Sequence, residues 1–423
     1  MSLNNTPKAN RLHIGIFGRR NAGKSSLINA LTGQNLAIVS DTPGTTADPV
    51  YKSMELHPVG PVVFIDTAGF DDEGELGELR VAKTASVISK TDLAIVVVDG
   101  TDPALEHEQK SPLEKEREWI DRLRESNVPT IIAINKWDLL NEEERLAAFN
   151  KATNFADTVA IPVSAETGAG IDALRKAIQD ALPDEYMEGR ILGDMLEDGS
   201  LVLLVMPQDI QAPKGRLILP QVQTLRELLD RKCQVMSTTA DGFVKAVESL
   251  KRAPDLIITD SQCFGDVYAQ KPAESALTSF SILMAASKGD INVFVDGVSA
   301  IDEALARLEG AASAEPFKVL IAEACTHVPL NEDIGTVKIP RLLHKAFGDN
   351  VEITSVRGSD FPAAGDLKQY DLIIHCGACM FNRKHVMSRI ASAQEAGVPI
   401  TNYGVFLAKM AGILNKVSLP EHN

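Results

Sequence analysis

The stretch that decides the fold is Gly-Arg-Arg-Asn-Ala-Gly-Lys-Ser at residues 18–25. It fits the pattern G-x-x-x-x-G-K-[ST], whose glycines let backbone N–H groups face phosphate oxygens. A short apolar strand pattern precedes it at residues 13–17, and a helical pattern follows at residues 25–31. A glycine-rich turn that occurred by chance would not be expected between such a strand and such a helix. The sequence therefore predicts a phosphate-binding loop at a helix N-terminus, where the backbone adds positive potential.

Four further motifs follow this loop in the order that a guanine-nucleotide site requires. They are PGTT at residues 43–46, DTAG at 66–69, NKWD at 135–138 and SA at 164–165. The last three each come directly after a strand-like apolar run. Any one of them is weak alone, because Asp-x-x-Gly turns and helix-capping Asp residues are common. Five motifs in order are far more specific, and they predict that the protein binds GTP.

Each motif supplies a different group to the nucleotide. Lys24 is predicted to reach the β and γ phosphates, and the Ser25 hydroxyl to bind Mg²⁺. Asp66 holds Mg²⁺ through water, and the Gly69 amide senses the γ phosphate. Thr46, with Thr45 as the alternative, closes on the metal and the γ phosphate only when triphosphate is bound.

Guanine recognition is assigned to the two motifs that come last. Asp138 can accept both N1–H and the 2-amino group of guanine, a donor pair that adenine lacks, so it selects GTP over ATP. The Ser164-Ala165 backbone contacts guanine O6. The predicted nucleotide contacts are Gly18, Asn21, Ala22, Gly23, Lys24, Ser25, Ser26, Thr46, Asp66, Gly69, Asn135, Lys136, Asp138, Ser164 and Ala165. Those predicted to act in hydrolysis are Lys24, Asn21, Thr46 and Gly69.

Strand and helix patterns alternate along the chain, which predicts an α/β protein whose first domain has a parallel sheet with helices on both faces. Pro183-Asp184 breaks the pattern, and two further, smaller α/β series follow. The predicted domains are residues 1–183, 184–272 and 273–423. The acidic run at residues 114–118 is predicted to be a solvated helix face.

Bulk composition excludes several classes of protein. The 423 residues suit two or three domains, and a net charge of −16 disfavours contact with nucleic acid or anionic membranes. No apolar run reaches membrane-spanning length, and residues 1–11 lack an apolar signal core. We therefore expect a cytoplasmic protein whose five cysteines are reduced.

Three of those cysteines follow strand patterns in the last hundred residues. Cys325-Thr326-His327 comes after residues 317–322, and Cys376-Gly377-Ala378-Cys379 after residues 372–375. The carboxyl ends of strands are where open α/β sheets build their sites, so these loops can converge. A Cys₃His set would close a zinc site, whereas three cysteines with a replaceable ligand suit a 4Fe–4S cluster. A redox dithiol is the third alternative. The added C-x-H favours a metal without saying which.

Residues 12–182 resemble the translation-factor-like GTPases of the Era and TrmE type. Many GTPases place a glutamine directly after D-x-x-G to orient water, but here Phe70 stands there, which predicts slow turnover. Asn21 matches the asparagine that binds K⁺ in the TrmE-like branch. It either holds K⁺ or only stabilises the turn, and both alternatives stay open.

The combination of this GTPase region with C-x-H and C-x-x-C resembles the HydF family of FeFe-hydrogenase maturation GTPases. The similarity covers essentially the whole chain, including residues 49–58, 212–218 and 371–379. It implies GTP-binding, dimerisation and cluster-binding domains, and a homodimer. It also implies a 4Fe–4S cluster on Cys325, Cys376 and Cys379. His327 is the candidate for a labile fourth ligand, with a nearby carboxylate or water as alternatives.

The same resemblance implies a scaffold role. The protein would receive a di-iron precursor from radical-SAM maturation enzymes and deliver it to apo FeFe-hydrogenase. Two other hypotheses compete with this one. An RNA- or ribosome-associated GTPase with structural zinc needs a basic face, against which the net charge of −16 argues. A redox or radical enzyme would be expected to carry C-x-x-x-C-x-x-C, which the sequence lacks.

Overall fold

The computed structural model describes residues 11–33, 49–56, 59–67, 69, 84, 86–102, 113–153, 158–182, 191–206, 217–310, 315–324, 334–358, 360–378 and 381–420. The chain forms two compact units, Met1–Glu188 and Gly189–Asn423. Each unit is described by itself below.

A six-stranded sheet is the centre of the first unit. Its strands are β1 (Leu12–Gly18), β2 (Val50–Leu56), β3 (Gly60–Asp66), β4 (Leu93–Asp99), β5 (Thr130–Asn135) and β6 (Val159–Pro162). Their spatial order is β2-β3-β1-β4-β5-β6. All neighbours pair in parallel except β2, which runs antiparallel to β3 at the edge of the sheet. The predicted parallel sheet is therefore confirmed, with one antiparallel edge strand added.

Both faces of this sheet are buried, as parallel strands require. Along β4, Ala94, Val96 and Val98 belong to one apolar core cluster, while Leu93, Ile95 and Val97 belong to another. The helices that cover the faces are α1 (Lys24–Thr32), α2 (Glu114–Glu125), α3 (Glu142–Thr153) and α4 (Ile171–Asp180). A 3₁₀ turn, Trp137–Leu139, follows β5. The carboxyl ends of the parallel strands thus share one edge, where the nucleotide motifs lie.

The second unit contains two four-stranded parallel sheets. The first has strands β7 (Leu201–Val205), β8 (Gln234–Thr238), β9 (Leu256–Thr259) and β10 (Ala276–Ser279), in the order β10-β9-β7-β8. The other has strands β11 (Phe317–Glu323), β12 (Val351–Arg357), β13 (Leu372–His375) and β14 (Ile400–Asn402), in the order β12-β11-β13-β14. Both later α/β series are confirmed as sheets.

Helices alternate with these strands. They are α5 (Leu219–Asp230), α6 (Phe243–Ser249), α7 (Phe264–Gln270), α8 (Phe280–Lys288), α9 (Ile291–Gly297), α10 (Ser299–Gly310), α11 (Ile339–Phe347), α12 (Ala364–Leu367), α13 (Arg383–Ala396) and α14 (Tyr403–Met410). Short 3₁₀ segments lie at Ser261–Cys263 and Leu414–Lys416, and a π-helical turn at Ile334–Lys338. None of the helices described in either unit is long and apolar enough to cross a membrane.

The two sheets of the second unit share a core. One apolar cluster includes Leu203 and Ile257 from the first sheet together with Leu320 and Ile373 from the other. Strand β10 pairs with β9 in the first sheet. That sheet therefore extends past residue 272, where the sequence patterns suggested a boundary. The division into three domains stays a prediction.

Candidate functional site

The phosphate-binding loop runs from the end of β1 to the start of α1. Asn21 and Gly23 take positive φ angles of 62° and 90°, and α1 begins at Lys24. The Lys24 ammonium is buried and donates to the carbonyls of Gly18, at 3.0 Å, and Arg19, at 2.8 Å. The lysine is thus folded over the loop. Its Nζ is held where the loop would cradle phosphate oxygens.

The proposed magnesium residues already touch each other. Ser25 lies in the first turn of α1, and Asp66 is the last residue of β3, the strand paired with β1. The Ser25 hydroxyl donates to Oδ2 of Asp66 at 2.6 Å, and Asp66 is buried. A hydroxyl and a carboxylate are oxygen ligands of the kind that Mg²⁺ prefers. The geometry fits the predicted roles of this pair.

Asn135 joins three motifs through its side-chain amide. Its Nδ2 donates to the Ala22 carbonyl at 2.9 Å, and its Oδ1 accepts from the Ala165 amide at 3.0 Å. A Cβ added to Gly23 would lie 2.2 Å from that Nδ2. The phosphate loop, the NKWD motif and the SA motif are therefore held together by one buried residue, Asn135.

The two charged residues of the NKWD motif lie nearer the surface, with Lys136 half-buried and Asp138 exposed. Lys136 has a φ of 62°, and its Nζ lies 2.5 Å from Oδ2 of Asp99 at the end of β4. Asp138 is exposed in the 3₁₀ turn, so its carboxylate is open to a base. Ser164 is fully buried, and its hydroxyl accepts from the Thr167 amide at 3.0 Å. Ser164 thus shapes the loop that presents the Ala165 backbone.

The remaining residues that were predicted to bind or hydrolyse the nucleotide are only partly covered by the described structure. Ser26 is half-buried in α1, and Gly69 is half-buried just beyond Asp66. Thr45, Thr46 and Phe70 lie outside the described residues. The part that Thr46 plays in hydrolysis stays a prediction, as does the binding of K⁺ by Asn21.

Glu116 is a site residue that the sequence patterns missed. It was expected on a solvated face of the acidic run 114–118, but it is buried, and its Oε2 accepts from Nη2 of Arg19 at 2.8 Å. Arg19 also donates to Oδ2 of Asp102 at 3.1 Å. Burial raises the pKa of Glu116, while Arg19 opposes that rise. Helix α2 is therefore linked to the phosphate loop through Arg19.

The cysteine site lies at the carboxyl ends of two adjacent strands. Cys376 directly follows β13, which pairs in parallel with β11, and the Cys325 loop follows β11. The Cys376 sulfur accepts from the backbone amides of Ala324, at 3.0 Å, and Ala378, at 3.4 Å. Amide donors of this kind stabilise a thiolate. The Ala324 contact brings the residue before Cys325 onto the Cys376 sulfur.

A buried histidine supports the start of this loop. His375 Nδ1 lies 2.8 Å from the Cys376 carbonyl, and Nε2 lies 3.0 Å from Nη1 of Arg389. Because a guanidinium can only donate, Nε2 is the acceptor and Nδ1 carries the proton. Burial and the nearby Arg389 charge lower the pKa of His375 to about 3. Both ring nitrogens are therefore engaged, and His375 acts as a structural residue.

Two other polar side chains near the loop also have partners. Glu323 accepts from Nε of Arg357 at 3.0 Å and from the Tyr403 hydroxyl at 3.3 Å. The His385 ring stacks on Phe381 with their centroids 3.9 Å apart. Among the described residues, no three His, Cys, Asp or Glu side chains converge as a metal site. Cys325, His327 and Cys379 lie outside them, so the cluster ligands stay a prediction.

Two family models match the second unit of the chain. A model described as the hydrogen maturase F dimerization domain matches residues 191–289, and one described as its tetramerization domain matches residues 293–420. Together they match more than half of the chain. The chain belongs to the hydrogen maturase F family. The family resemblance seen in the sequence is thereby confirmed, and the two domain descriptions support self-association.

The first unit of the chain carries a GTPase domain. A family model described as 50S ribosome-binding GTPase matches residues 13–136. The tRNA modification GTPase MnmE of Xylella fastidiosa strain Temecula1 is 37% identical over 179 residues, covering 42% of this chain and 35% of MnmE. GTPase Era of Geobacter metallireducens is 34% identical over 190 residues, covering 44% of this chain and 60% of Era. The predicted P-loop GTPase is confirmed.

Similarity to these relatives is partial in length. The chain spans about a third of MnmE and less than two thirds of Era. Among solved structures, a variant of Aquifex aeolicus Era bound to GDP and aluminium fluoride is 19% identical, with a TM-score of 0.35, over 54% of this chain and 93% of that chain.

Proposed function

We propose that this protein is a slow GTP hydrolase and scaffold that binds a 4Fe–4S cluster. It would assemble the di-iron precursor of FeFe-hydrogenase and deliver it to the apo-enzyme. The observation that carries the proposal is one chain holding both hydrogen maturase F domains and a GTPase domain. The cluster assignment is supported by a hydrogen bond from the backbone amide of Ala324, the residue before Cys325, to the Cys376 sulfur.

The nucleotide site supports binding of Mg²⁺ and GTP through groups already in place. Lys24 would exchange the carbonyls of Gly18 and Arg19 for the β and γ phosphates. The Ser25 hydroxyl would turn from Asp66 to the metal, leaving Asp66 to hold a metal-bound water. Asn135 keeps the phosphate loop and the base loop in register, so that Asp138 meets guanine at a fixed distance from Lys24.

The cysteine loops fit a cluster on the chemistry of their donors. Cys325, Cys376 and Cys379 would supply three thiolates, which are the usual ligands of Fe–S clusters. The two amides on the Cys376 sulfur favour its ionised form. When bound, such a cluster supplies one iron whose outer position can exchange. His327, a nearby carboxylate or water would occupy that position.

Partners follow from the proposed role. The chain would act with radical-SAM maturation enzymes that supply the precursor and with apo FeFe-hydrogenase that accepts it. Self-association would occur through the regions at 191–289 and 293–420, as a homodimer or a larger assembly. The net charge of −16 disfavours a nucleic-acid partner.

The test is metal and sulfide analysis, with EPR spectroscopy, of the full chain purified and reconstituted without oxygen. About four irons and four sulfides per chain, with a reduced-cluster signal that changes on adding imidazole or cyanide, are the expected result. One zinc and no sulfide would instead indicate a structural Cys₃His site. That outcome would overturn the cluster and the scaffold role together, and leave only the GTPase.

A further inference from the structure

A buried lysine reaches the cysteine loop from another helix. Lys288 is the last residue of α8, lies in the region that matches the dimerization domain, and is 7% exposed. Its Nζ donates to the Ala378 carbonyl at 3.3 Å and to the Phe381 carbonyl at 2.5 Å. A buried ammonium is costly unless it is hydrogen-bonded, so these carbonyls fix its position.

Both backbone polar groups of Ala378, its carbonyl and its amide, form hydrogen bonds. Its carbonyl accepts from Lys288, while its amide donates to the Cys376 sulfur at 3.4 Å. Its φ is 49°, in the left-handed region that an alanine rarely adopts. A conformation of this kind persists only where its surroundings hold it. Lys288 is therefore one of the contacts that keep the Ala378 amide pointed at the sulfur.

The contact between α8 and the loop is reciprocal. Arg383, the first residue of α13, donates from Nη1 to the Gly289 carbonyl at 2.7 Å and to the Ser287 carbonyl at 3.4 Å. Lys288 at the end of α8 therefore donates to carbonyls of the cysteine segment, and Arg383 donates to carbonyls at the end of α8. This double attachment ties the end of α8 to the segment that carries Cys376.

We propose that Lys288 is a positioning residue for the iron–sulfur cluster, acting through the peptide of Ala378. The inference rests on the proposed cluster on Cys376. Hydrogen bonds to cluster sulfurs and buried charge nearby set the reduction potential, and partners of ligands commonly affect metal retention. The Lys288 ammonium would raise the potential in both ways, by holding the N–H···S bond and by adding a positive charge.

The test compares Lys288→Met with Lys288→Arg in the full chain, reconstituted without oxygen. Methionine fills a similar volume but removes the charge and the donors, whereas arginine keeps both. We expect Lys288→Met to move the EPR-monitored reduction potential to a more negative value. We also expect iron loss to a chelator to become about tenfold faster or more. Lys288→Arg should restore most of both properties.

Lys409→Met is the matched control, because Lys409 pairs with Asp302 at 2.6 Å on the surface of the same unit. It should leave potential and iron loss unchanged. An unchanged potential and retention in Lys288→Met would overturn the proposal. If Lys288→Met does not fold, judged by circular dichroism, Lys288→Gln replaces it, because glutamine keeps a donor but removes the charge. A more negative potential and faster iron loss in a folded Lys288→Gln protein support the proposal, and wild-type values of both overturn it. A wild type without iron and sulfide would instead refute the proposed function.

Discussion

At the scale of single residues, Asp138 makes the sharpest prediction. Its carboxylate is exposed beside the base loop. Asp138→Asn should weaken GTP binding about 10–100-fold, since a hydrogen bond to a charged group contributes roughly 1.5–3 kcal/mol. The asparagine amide can donate to the 2-oxo group of xanthine, so xanthosine triphosphate should bind better to this variant than to the wild type. Titration calorimetry with both nucleotides measures the change.

The control for Asp138→Asn is Glu143→Gln, which removes a similar charge from an exposed position in α3. It should leave both affinities as they are. An Asp138→Asn protein that still binds GTP as tightly as the wild type would show that another group reads the base.

Glu116 makes a prediction about pH. Burial raises its pKa in the folded state. A carboxyl whose folded pKa is raised stabilises the fold fully below its ordinary pKa, and that contribution is lost as pH rises through the folded value. Glutamine has no such titration. The free energy of unfolding of the wild type, relative to Glu116→Gln, should therefore be greater near about pH 4 than near about pH 7.

Urea unfolding at several pH values measures this difference. Glu118→Gln is the control on the same helix, because Glu118 forms an exposed pair with Arg122 at 2.6 Å. Exposed pairs contribute up to about 1 kcal/mol, so Glu118→Gln should have only a small effect. A wild type that gains on Glu116→Gln as pH rises would contradict the raised pKa.

The sequence could predict motif residues but not all of their contacts. Ser25 and Asp66 were paired through a metal, and the structure brings their side chains together. Glu116 was missed because an acidic run is usually a solvated face. The helical spacing could have predicted its burial, because residues 116, 119, 120 and 123 share one helix face and all four are buried. The Arg19 partner, 97 residues away, required the fold.

At the scale of elements, the glycine before α1 makes the next prediction. A Cβ on Gly23 would lie 2.2 Å from Asn135 Nδ2, and its φ of 90° is strained for any other residue. Gly23→Ala should therefore break the link between the phosphate and base loops and abolish measurable GTP binding. Gly33→Ala is the matched control at the other end of α1, where φ is 64° and nothing lies within 4 Å.

Gly33→Ala should cost about 1–2 kcal/mol of stability from its left-handed backbone while GTP affinity is kept. Fluorescent-nucleotide binding and thermal unfolding separate the two effects. Equal loss of affinity in both variants would mean that backbone strain, and not the contact with Asn135, disables the loop.

Elements with a clear period were predictable, and those without one were not. Strands such as β4 and β11 contain unbroken apolar runs, at residues 93–98 and 319–322, so the patterns located them. Strand β2 was missed because it is an exposed antiparallel edge with charged residues along it. Helix α8 was missed for the opposite reason. Seven of its nine residues are buried, so it has no polar face to reveal a helical period.

At the scale of the whole molecule, the apolar cores indicate whether the nucleotide site and the cysteine site depend on each other for stability. The apolar clusters described in the first unit contain only residues of that unit, and the same holds for the second. Sequence patterns predicted a first boundary after residue 183, and the chain divides into two compact units between residues 188 and 189. They predicted a second boundary after residue 272, and that boundary stays a prediction, because the two sheets of the second unit share one apolar core.

Separate cores predict separately stable sites. Lys24→Ala should lower GTP turnover at least about 100-fold, because it removes the group that stabilises charge on the phosphates. It should leave iron and sulfide per chain unchanged, since the cysteine loops lie in the other unit. Lys115→Ala, at an exposed position in α2, is the control and should change neither quantity. Conversely, Cys376→Ser should lose the cluster and keep the hydrolysis rate. If Lys24→Ala also lost its iron, the cysteine site would depend on the nucleotide domain, and the two units could not be treated as independent in stability.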